Sequence, residues 1–270
     1  MELKKLVKFS LLGLTLSSNL FAGMSDFKNK SGKQIAEMLE SKNLVYKTET
    51  YDLELKYYHD DNNPFKTIKG KAVTQETGNG KGQGKALVTL DDKTKVYVET
   101  RNGKEDIHMI KFPGSGKSVS FSWGNRKFSK STKFLGSEAN VEDLTCHILA
   151  NYNHKFRKFS QGGKVAIMEF TPKRKSFYTS KVYYIDTNKF VPIEIIYYKG
   201  STKLKSMSVK EYKKYKVPGT NKTVYRPHRL EMKNNEYLRQ NKKSLETHLI
   251  ISNRVLNGKV NSNDLNPKKM

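Results

Sequence analysis

The stretch Gly114-Ser-Gly-Lys-Ser118 contains the residue types that bind phosphate in nucleotide-binding loops. A complete loop of this kind also has a glycine five positions before Gly116 and a helix directly after the serine. Here Lys111 stands at the glycine position, and residues 119–123 have the character of a β-strand. The stretch therefore predicts a plain basic turn, and it gives little support to nucleotide chemistry.

Histidine, cysteine and acidic residues could bind a metal or act in catalysis, but they form no recognisable site. The histidines are His59, His108, His147, His154, His228 and His248, and the single cysteine is Cys146. None of the histidines has the close spacing to Cys, Asp or Glu that metal sites show. Cys146 lies on a predicted helix and has the character of a small buried residue. We therefore predict no metal, no cofactor and no enzymatic activity.

Residues 1–22 have the layout of a secretory signal peptide. Lysines precede a short apolar core over residues 9–16, and Ala22 is a suitable last residue before cleavage. The core is too short to span a bilayer, which takes about 20 apolar residues. Cys146 is too far from the cut to carry a lipid anchor. We expect cleavage near Ala22 and release as a soluble, unlipidated protein with a single domain over residues 23–270; the alternative is an uncleaved anchor or a buried helix.

The positive charge is the most unusual property of the composition. The chain has 51 Lys and Arg against 26 Asp and Glu, a net charge of +25. Residues 1–22 carry three lysines and one glutamate, a net +2, so residues 23–270 retain +23. Such an excess favours anionic partners such as phospholipid headgroups or polyanions. A lysine-rich proteome with solvated surfaces would explain the same excess.

Two short helices are predicted from capping signals and apolar spacing. The first covers residues 31–41 and begins with a capping box formed by Ser31 and Gln34. The second begins at Asn140 and covers residues 141–151. Their apolar faces consist of Ile35, Met38 and Leu39 in the first helix and of Leu144 and Ile148 in the second.

Most of the remaining chain has the pattern of β-strands. Residues 51–58 alternate apolar and charged side chains, which is typical of a strand with one buried face. Further strands are predicted over residues 66–77, 84–91, 94–101, 105–112, 117–123, 126–130, 154–160, 163–171, 177–187, 190–199, 202–214, 221–233 and 243–255. Short turns rich in Gly, Asn and Asp join them, so we predict a mainly β protein with a large antiparallel sheet.

The same alternation identifies candidates for an inner, apolar face of the sheet. They are Tyr51, Leu53, Leu55, Tyr57, Val165, Ile167, Ile193, Ile195 and Tyr197. Ordinary core packing would account for these residues, and so would an apolar cavity that binds lipid.

Residues 134–270 resemble a known family in the order and spacing of several segments. The segments are 134–144, with a Gly-Ser turn before an acidic helix start, the strand pair 181–186 and 190–194, the stretch Val224-Tyr-Arg-Pro227, and the tail 260–265. In this order they resemble the periplasmic outer membrane lipoprotein-sorting proteins of the LolA/LolB-like superfamily.

This resemblance implies an unclosed antiparallel β-barrel, strongly curved around an apolar cavity, with the two predicted helices as its lid. It implies a periplasmic carrier that shields acyl chains of a lipid or lipoprotein and takes part in outer-membrane trafficking. It also implies an inner-membrane exporter and an outer-membrane acceptor. The positive charge favours docking on an anionic membrane surface, and no nucleic acid is expected. The alternative is a basic envelope protein that binds anionic polymers or headgroups at its surface, without cargo in a cavity.

Overall fold

The computed structural model describes residues 25–43, 45–59, 63–77, 83–101, 106–120, 133–144, 151–241, 245–261 and 263–267. These residues include helices α1 (Gly32–Asn43) and α2 (Asn235–Asn241) and the strands β1 (Thr48–His59), β2 (Lys66–Glu76), β3 (Gly84–Leu90), β4 (Lys95–Thr100), β5 (Ile107–Lys111), β6 (Val119–Ser120), β7 (Tyr152–Ser160), β8 (Val165–Pro172), β9 (Ser180–Asp186), β10 (Val191–Lys199), β11 (Thr202–Lys216), β12 (Thr223–Asn234) and β13 (Leu245–Leu256). The predicted signal peptide, Cys146, Ile148 and strand 126–130 lie outside them. None of the helices in the described ranges is long and apolar enough to cross a membrane.

All thirteen strands pair antiparallel in one sheet, in the order β6-β5-β4-β3-β2-β1-β13-β12-β11-β10-β9-β8-β7. The chain moves outward from β1 to β6, starts again at the opposite edge with β7, and returns to β13, which pairs with β1. Within the described residues β6 and β7 do not pair with each other, so the sheet is not closed. The predicted fold class, a mainly β protein with an unclosed antiparallel sheet, is confirmed.

The predicted strands that fall in the described ranges are confirmed, with ends that differ by a few residues. The second predicted helix begins as a 3₁₀ turn at Val141–Leu144, and the residues after it lie outside the description. Helix α2 was not predicted. It has only seven residues, and its first turn is capped by Asn234, whose Oδ1 accepts a hydrogen bond from the Tyr237 backbone N–H at 2.8 Å.

Helix α1 begins with the predicted capping box. The Ser31 backbone N–H donates to Gln34 Oε1 at 2.8 Å, and the Gln34 backbone N–H donates to Ser31 Oγ at 3.2 Å. Gly32 lies so close to β7 that a Cβ atom would come within 2.5 Å of the His154 carbonyl oxygen. This close approach lets Ile35, which is completely buried, pack against β8.

The sheet has an inner face, which we define as the face that carries Leu53 and Leu55 of β1. Those two side chains pack in one cluster with residues of β2, β4 and β5, among them Val96 and Val98. The outer face of β3 and β4 is covered by the C-terminal segment, where Leu265 packs against Leu87 and Tyr97. Over β3 and β4 the sheet is therefore covered on its outer side as well as filled on its inner side.

The carboxyl group of Glu40, near the end of α1, makes stability depend on pH. Burial, with smaller contributions from Glu37 and Glu76, raises the pKa of Glu40 to about 7. A raised carboxyl pKa stabilises the folded state below the ordinary value of 4.5, and this contribution is lost as pH rises from 4.5 to about 7. We expect Glu40→Gln to unfold at a higher temperature than the wild type at pH 8 and at nearly the same temperature at pH 4.

Thermal unfolding followed by circular dichroism at both pH values measures this difference. The matched control is Glu211→Gln, whose side chain is 49% exposed on β11. The control should change the melting temperature little at either pH. An equal effect of Glu40→Gln at pH 4 and pH 8 would contradict the assignment.

Candidate functional site

The order of the strands requires the chain to cross the whole sheet once. Strand β6 lies at one edge and β7 at the other, so the connection between them must run across a face. Residues 133–144, which we call the crossing segment, lie on the inner face: Phe134 packs with Leu53 and Leu55. The cover over the inner face is thus a consequence of chain topology.

The first part of the crossing segment is held by apolar contacts and one hydrogen bond. Phe134 is 8% exposed and belongs to the cluster formed by β1, β2, β4 and β5. Tyr57 of β1 donates its hydroxyl proton to the Leu135 carbonyl oxygen at 3.2 Å. Burial raises the pKa of Tyr57 to about 12, so this donor stays protonated at neutral pH.

The middle of the crossing segment is fixed by Glu138, which is almost completely buried. Its carboxylate accepts hydrogen bonds from Lys133 Nζ at 2.7 Å and from Asn234 Nδ2 at 2.6 Å. Its backbone N–H donates to Thr247 Oγ1 at 3.0 Å. These bonds tie the segment to β12 and β13, in the middle of the sheet.

The last part of the crossing segment is held by a buried ion pair between Asp143 and Lys205 of β11. Both side chains are 6% exposed or less, and Lys205 Nζ also donates to the Glu138 carbonyl oxygen at 3.0 Å. The hydroxyl of Tyr178 donates to Asp143 Oδ2 at 3.0 Å. Burial lowers the pKa of Lys205, whereas the Asp143 carboxylate opposes that shift. One lysine therefore binds two points of the crossing segment.

A cavity of about 510 Å³ lies between the crossing segment and the inner face. It is lined by Tyr51, Leu53, Leu55, Ala86, Val88, Leu90, Val96, Val98, Phe134, Ser137, Ala139, Asp143, Tyr152, Lys181, Tyr183, Ile195, Tyr197, Met207, Arg226, Pro227, Leu230, Met232, Thr247 and Leu249. Its size lies in the range of about 300–1,000 Å³ that is usual for small-molecule sites, and such sites combine apolar walls with a few polar groups. The cavity can accept an apolar ligand.

Five of the residues proposed from the sequence as an inner face line this cavity. They are Tyr51, Leu53 and Leu55 of β1 and Ile195 and Tyr197 of β10. Tyr57 is 3% exposed and packs in the same cluster as Leu53 and Leu55, but it is not among the lining residues.

Val165 and Ile167 are buried, but they lie on the outer side of β8. Met168 pairs with Tyr183, which lines the cavity, and alternation then places Ile167 on the opposite face. The expected inward orientation of these two residues is corrected by the register. Since Val165, Ala166, Ile167 and Met168 are all apolar, periodicity alone cannot distinguish the two faces of this strand.

Ile193 lies at an irregularity in β10 and is only partly buried. The register between β9 and β10 shifts between Pro192 and Glu194, so Ile193 has no partner on β9. A bulge interrupts the alternation that connected Ile193 to Ile195 in the sequence pattern.

The apolar face of α1 lies beside the cavity. Ile35 packs with Ala166, Met168 and Phe170, and Met38 and Leu39 join this cluster from the same helix. The residues that cover the cavity from above belong to the crossing segment: Phe134, Ser137, Ala139 and Asp143. The side chains of Leu144 and Ile148, expected in the second lid helix, are outside the described part of the chain.

Lys181 of β9 is a lining residue that the sequence pattern did not identify. Its side chain is buried among aromatic rings, with Nζ 5.7 Å from the ring centre of Tyr152, 5.2 Å from Tyr178 and 5.6 Å from Tyr197. No carboxylate of the described residues lies within 4 Å of its Nζ. Burial alone would lower the pKa of Lys181, but Tyr152, Tyr183 and the more distant Asp143 and Glu142 outweigh burial and raise it. Lys181 is therefore a charged ammonium at neutral pH.

Arg226 of β12 is the second cation of the cavity wall, and it is already paired. Its Nη2 lies 3.0 Å from Glu49 Oε2, and Arg254 Nε lies 2.6 Å from Glu49 Oε1. Glu49 is 2% exposed, so this group of three charges joins β1, β12 and β13 inside the protein. The neighbouring Tyr46 and Glu49 outweigh the effect of burial and raise the pKa of Arg226.

Glu231, Glu246 and His248 come close enough together to share a metal ion. Each carboxylate is already bound to a basic side chain, with Arg229 2.8 Å from Glu231 and Lys233 2.7 Å from Glu246. These pairs neutralise the charge that would attract a cation, so the group has a structural explanation.

A family model with the description "Uncharacterized protein", under a name ending in "-like", matches residues 125–270, which is more than half of the chain. The chain belongs to this family. The matched range contains the crossing segment, all strands from β7 to β13 and both lysines of the site. A comparison with curated proteins found no match.

Three solved structures are similar to this chain in fold. An outer membrane lipoprotein-sorting protein domain from Vibrio parahaemolyticus has a TM-score of 0.76 and 22% identity, over 88% of this chain and 97% of its own. A DUF1329 family protein from Desulfovibrio piger has a TM-score of 0.73 and 16% identity, over 88% and 96%. A LolA superfamily protein from Nitrosomonas europaea has a TM-score of 0.63 and 12% identity, over 89% and 100%. The resemblance to LolA-like proteins found in the sequence is confirmed in the fold.

The ion pair between Lys205 and Asp143 should make a large contribution to stability. Lys205→Met keeps most of the length of the side chain but leaves the buried Asp143 without its cation. We expect the free energy of unfolding to fall by about 3 kcal/mol, as is usual when one partner of a buried pair is removed. Urea unfolding followed by fluorescence measures this change.

Lys33→Met is the matched control for Lys205→Met. Lys33 lies 3.7 Å from Glu37 on α1, and both side chains are more than half exposed. Its loss should cost no more than about 0.5 kcal/mol. If the two variants lost equal stability, the crossing segment would not depend on Lys205.

Proposed function

We propose that this protein is a periplasmic carrier that binds the acyl chain of a lipid or lipoprotein in the cavity under the crossing segment. The observation that carries the proposal is the apolar wall of that cavity, to which β1, β3, β4 and β10–β13 contribute side chains such as Leu55, Val88 and Leu230. An apolar space of this size against a sheet supports a ligand-binding role, because protein interiors are otherwise closely packed.

Such a cavity would lower the free energy cost of moving a lipid through water. Each exposed CH₂ group costs about 0.8 kcal/mol, so a chain of about 16 carbons resists leaving a membrane by more than about 10 kcal/mol. A cavity that replaces water with Leu, Val and aromatic side chains removes most of this cost. We propose a binding and release role of this kind, rather than an enzymatic one.

The fold and the sequence support a periplasmic location for this carrier. The chain is similar in fold to a lipoprotein-sorting domain and to a LolA superfamily protein, and residues 1–22 have the layout of a signal peptide. Delivery would need a donor in the inner membrane and an acceptor in the outer membrane. The net charge of +23 on residues 23–270 favours docking on anionic leaflets during both steps.

The same charge favours a second candidate, a protein that binds envelope polyanions through its surface only. The two functions differ in their response to salt. Surface binding of a polyanion weakens steeply as the salt concentration rises, whereas an apolar ligand in the cavity is retained in 1 M NaCl.

Filling part of the cavity should weaken the binding of an apolar ligand. Val88 of β3 lines the cavity and is partly exposed to it, so Val88→Trp should occupy part of the apolar space. We expect the affinity for the neutral fluorescent probe N-phenyl-1-naphthylamine to fall at least about tenfold, which corresponds to about 1.4 kcal/mol. Fluorescence titration in 0.1 M and 1 M NaCl measures the affinity.

Val255→Trp is the control for the Val88 variant, since it adds the same ring at a side chain that is 51% exposed. It should bind the probe as the wild type does. Equal affinities of the two variants and the wild type would show that the probe binds elsewhere, and the carrier proposal would fail.

A further inference from the structure

Not every charged side chain that lines the cavity has an oppositely charged partner. Asp143 is paired with Lys205, and Arg226 is paired with Glu49. Lys181 is 6% exposed, lines the cavity and has no carboxylate within 4 Å among the described residues. An ammonium group in this position is costly to bury without an anionic partner.

The position of Lys181 is set by the register of three strands. Lys181 of β9 lies opposite Tyr197 of β10, and Tyr197 lies opposite Lys205 of β11. The three side chains therefore form one row across the inner face. Asp143 neutralises the Lys205 end of the row, and the Lys181 end faces the cavity.

Glu142, the other acid that acts on Lys181, binds other groups through its carboxylate. One carboxylate oxygen accepts a hydrogen bond from the hydroxyl of Ser176, and the other accepts the Phe177 backbone N–H at 2.8 Å. It acts on Lys181 only from a distance. Glu142 therefore forms no ion pair with Lys181.

The aromatic side chains around Lys181 suit such a ligand. Tyr152, Tyr183 and Tyr197 line the cavity beside it. Burial raises the pKa of Tyr183 and of Tyr197, so their hydroxyls stay neutral at physiological pH and do not repel an anion. The part of the wall that β1, β3 and β4 form, from Leu53 to Val98, is apolar.

We infer that Lys181 binds the carboxylate of a free fatty acid whose hydrocarbon chain lies along the apolar wall of the cavity. This inference rests on the proposed carrier function and narrows its ligand class. Lipoprotein acyl chains end in neutral ester or amide groups, which would leave the ammonium unpaired, whereas a fatty acid supplies one negative charge and one apolar chain. The carboxylate and Lys181 neutralise each other inside the protein.

A pair of ligands with the same chain tests this inference. Dodecanoate and dodecan-1-ol are each used to displace N-phenyl-1-naphthylamine from the protein at pH 8, below their aggregation concentrations. The alcohol is less hydrated than the carboxylate, so a purely apolar cavity would prefer the alcohol. We expect the wild type to prefer dodecanoate at least about tenfold, because a hydrogen bond between charged groups is the stronger one.

The variant Lys181→Met should reverse this preference while it still binds the probe and dodecan-1-ol. Lys181→Gln, which keeps a polar side chain without the charge, should do the same if the methionine variant does not fold. The control is Lys158→Met on β7, an exposed lysine opposite Ile167, and it should keep the wild-type preference.

Each other outcome has a distinct meaning. If the wild type bound both ligands equally, or if Lys181→Met kept the preference for dodecanoate, the headgroup site would be overturned and the carrier function would stand. Tighter binding of dodecyl phosphate than of dodecanoate would assign the site to a phosphate headgroup and overturn the fatty acid. If neither ligand displaced the probe, the proposed function itself would fail.

Discussion

The crossing of the chain from one edge of the sheet to the other is the constraint on which the rest of the structure depends. Strands β6 and β7 lie at opposite edges, and the crossing segment, residues 133–144 of the connection between them, lies over the inner face. That segment contains polar backbone groups, which must find partners where it is buried. Glu138, Asp143 and Lys205 satisfy this requirement, and they hold the segment above the sheet instead of letting it pack fully against it. The cavity is the space that results.

Two buried groups of charged side chains stabilise different parts of this architecture. Glu49 with Arg226 and Arg254 joins the strands in the middle of the sheet, where the two halves of the chain meet. Lys205 with Asp143 joins the crossing segment to the C-terminal half. Lys205 and Asp143 neutralise each other, whereas Glu49 with its two arginines keeps a net charge of +1. Lys181 on the cavity wall has no carboxylate partner of its own among the described residues, and a ligand with one negative charge would supply one.

The sequence predicted the strands and one face of β1 well, because Asp52, Glu54 and Lys56 show which side of that strand meets water. It could not show which face of β8 points inward, because consecutive residues of that strand are all apolar. It also could not orient Ile193, which lies at a bulge that no local sequence pattern reveals. Lys181 and Lys205 were missed for a different reason. A lysine in a strand is expected to face solvent, and the inward position of Lys205 depends on Asp143, 62 residues away. The order of the strands likewise depends on the long-range pairing of β1 with β13.

The most direct test of the account is to purify the protein under mild conditions from the periplasm of its native cells and to identify what it contains by native mass spectrometry and lipid extraction. The account predicts a folded protein that carries about one acyl-chain ligand per molecule, retained through a wash in 1 M NaCl. A folded protein that arrives free of lipid, and that takes up none when it is mixed with membranes, would contradict it.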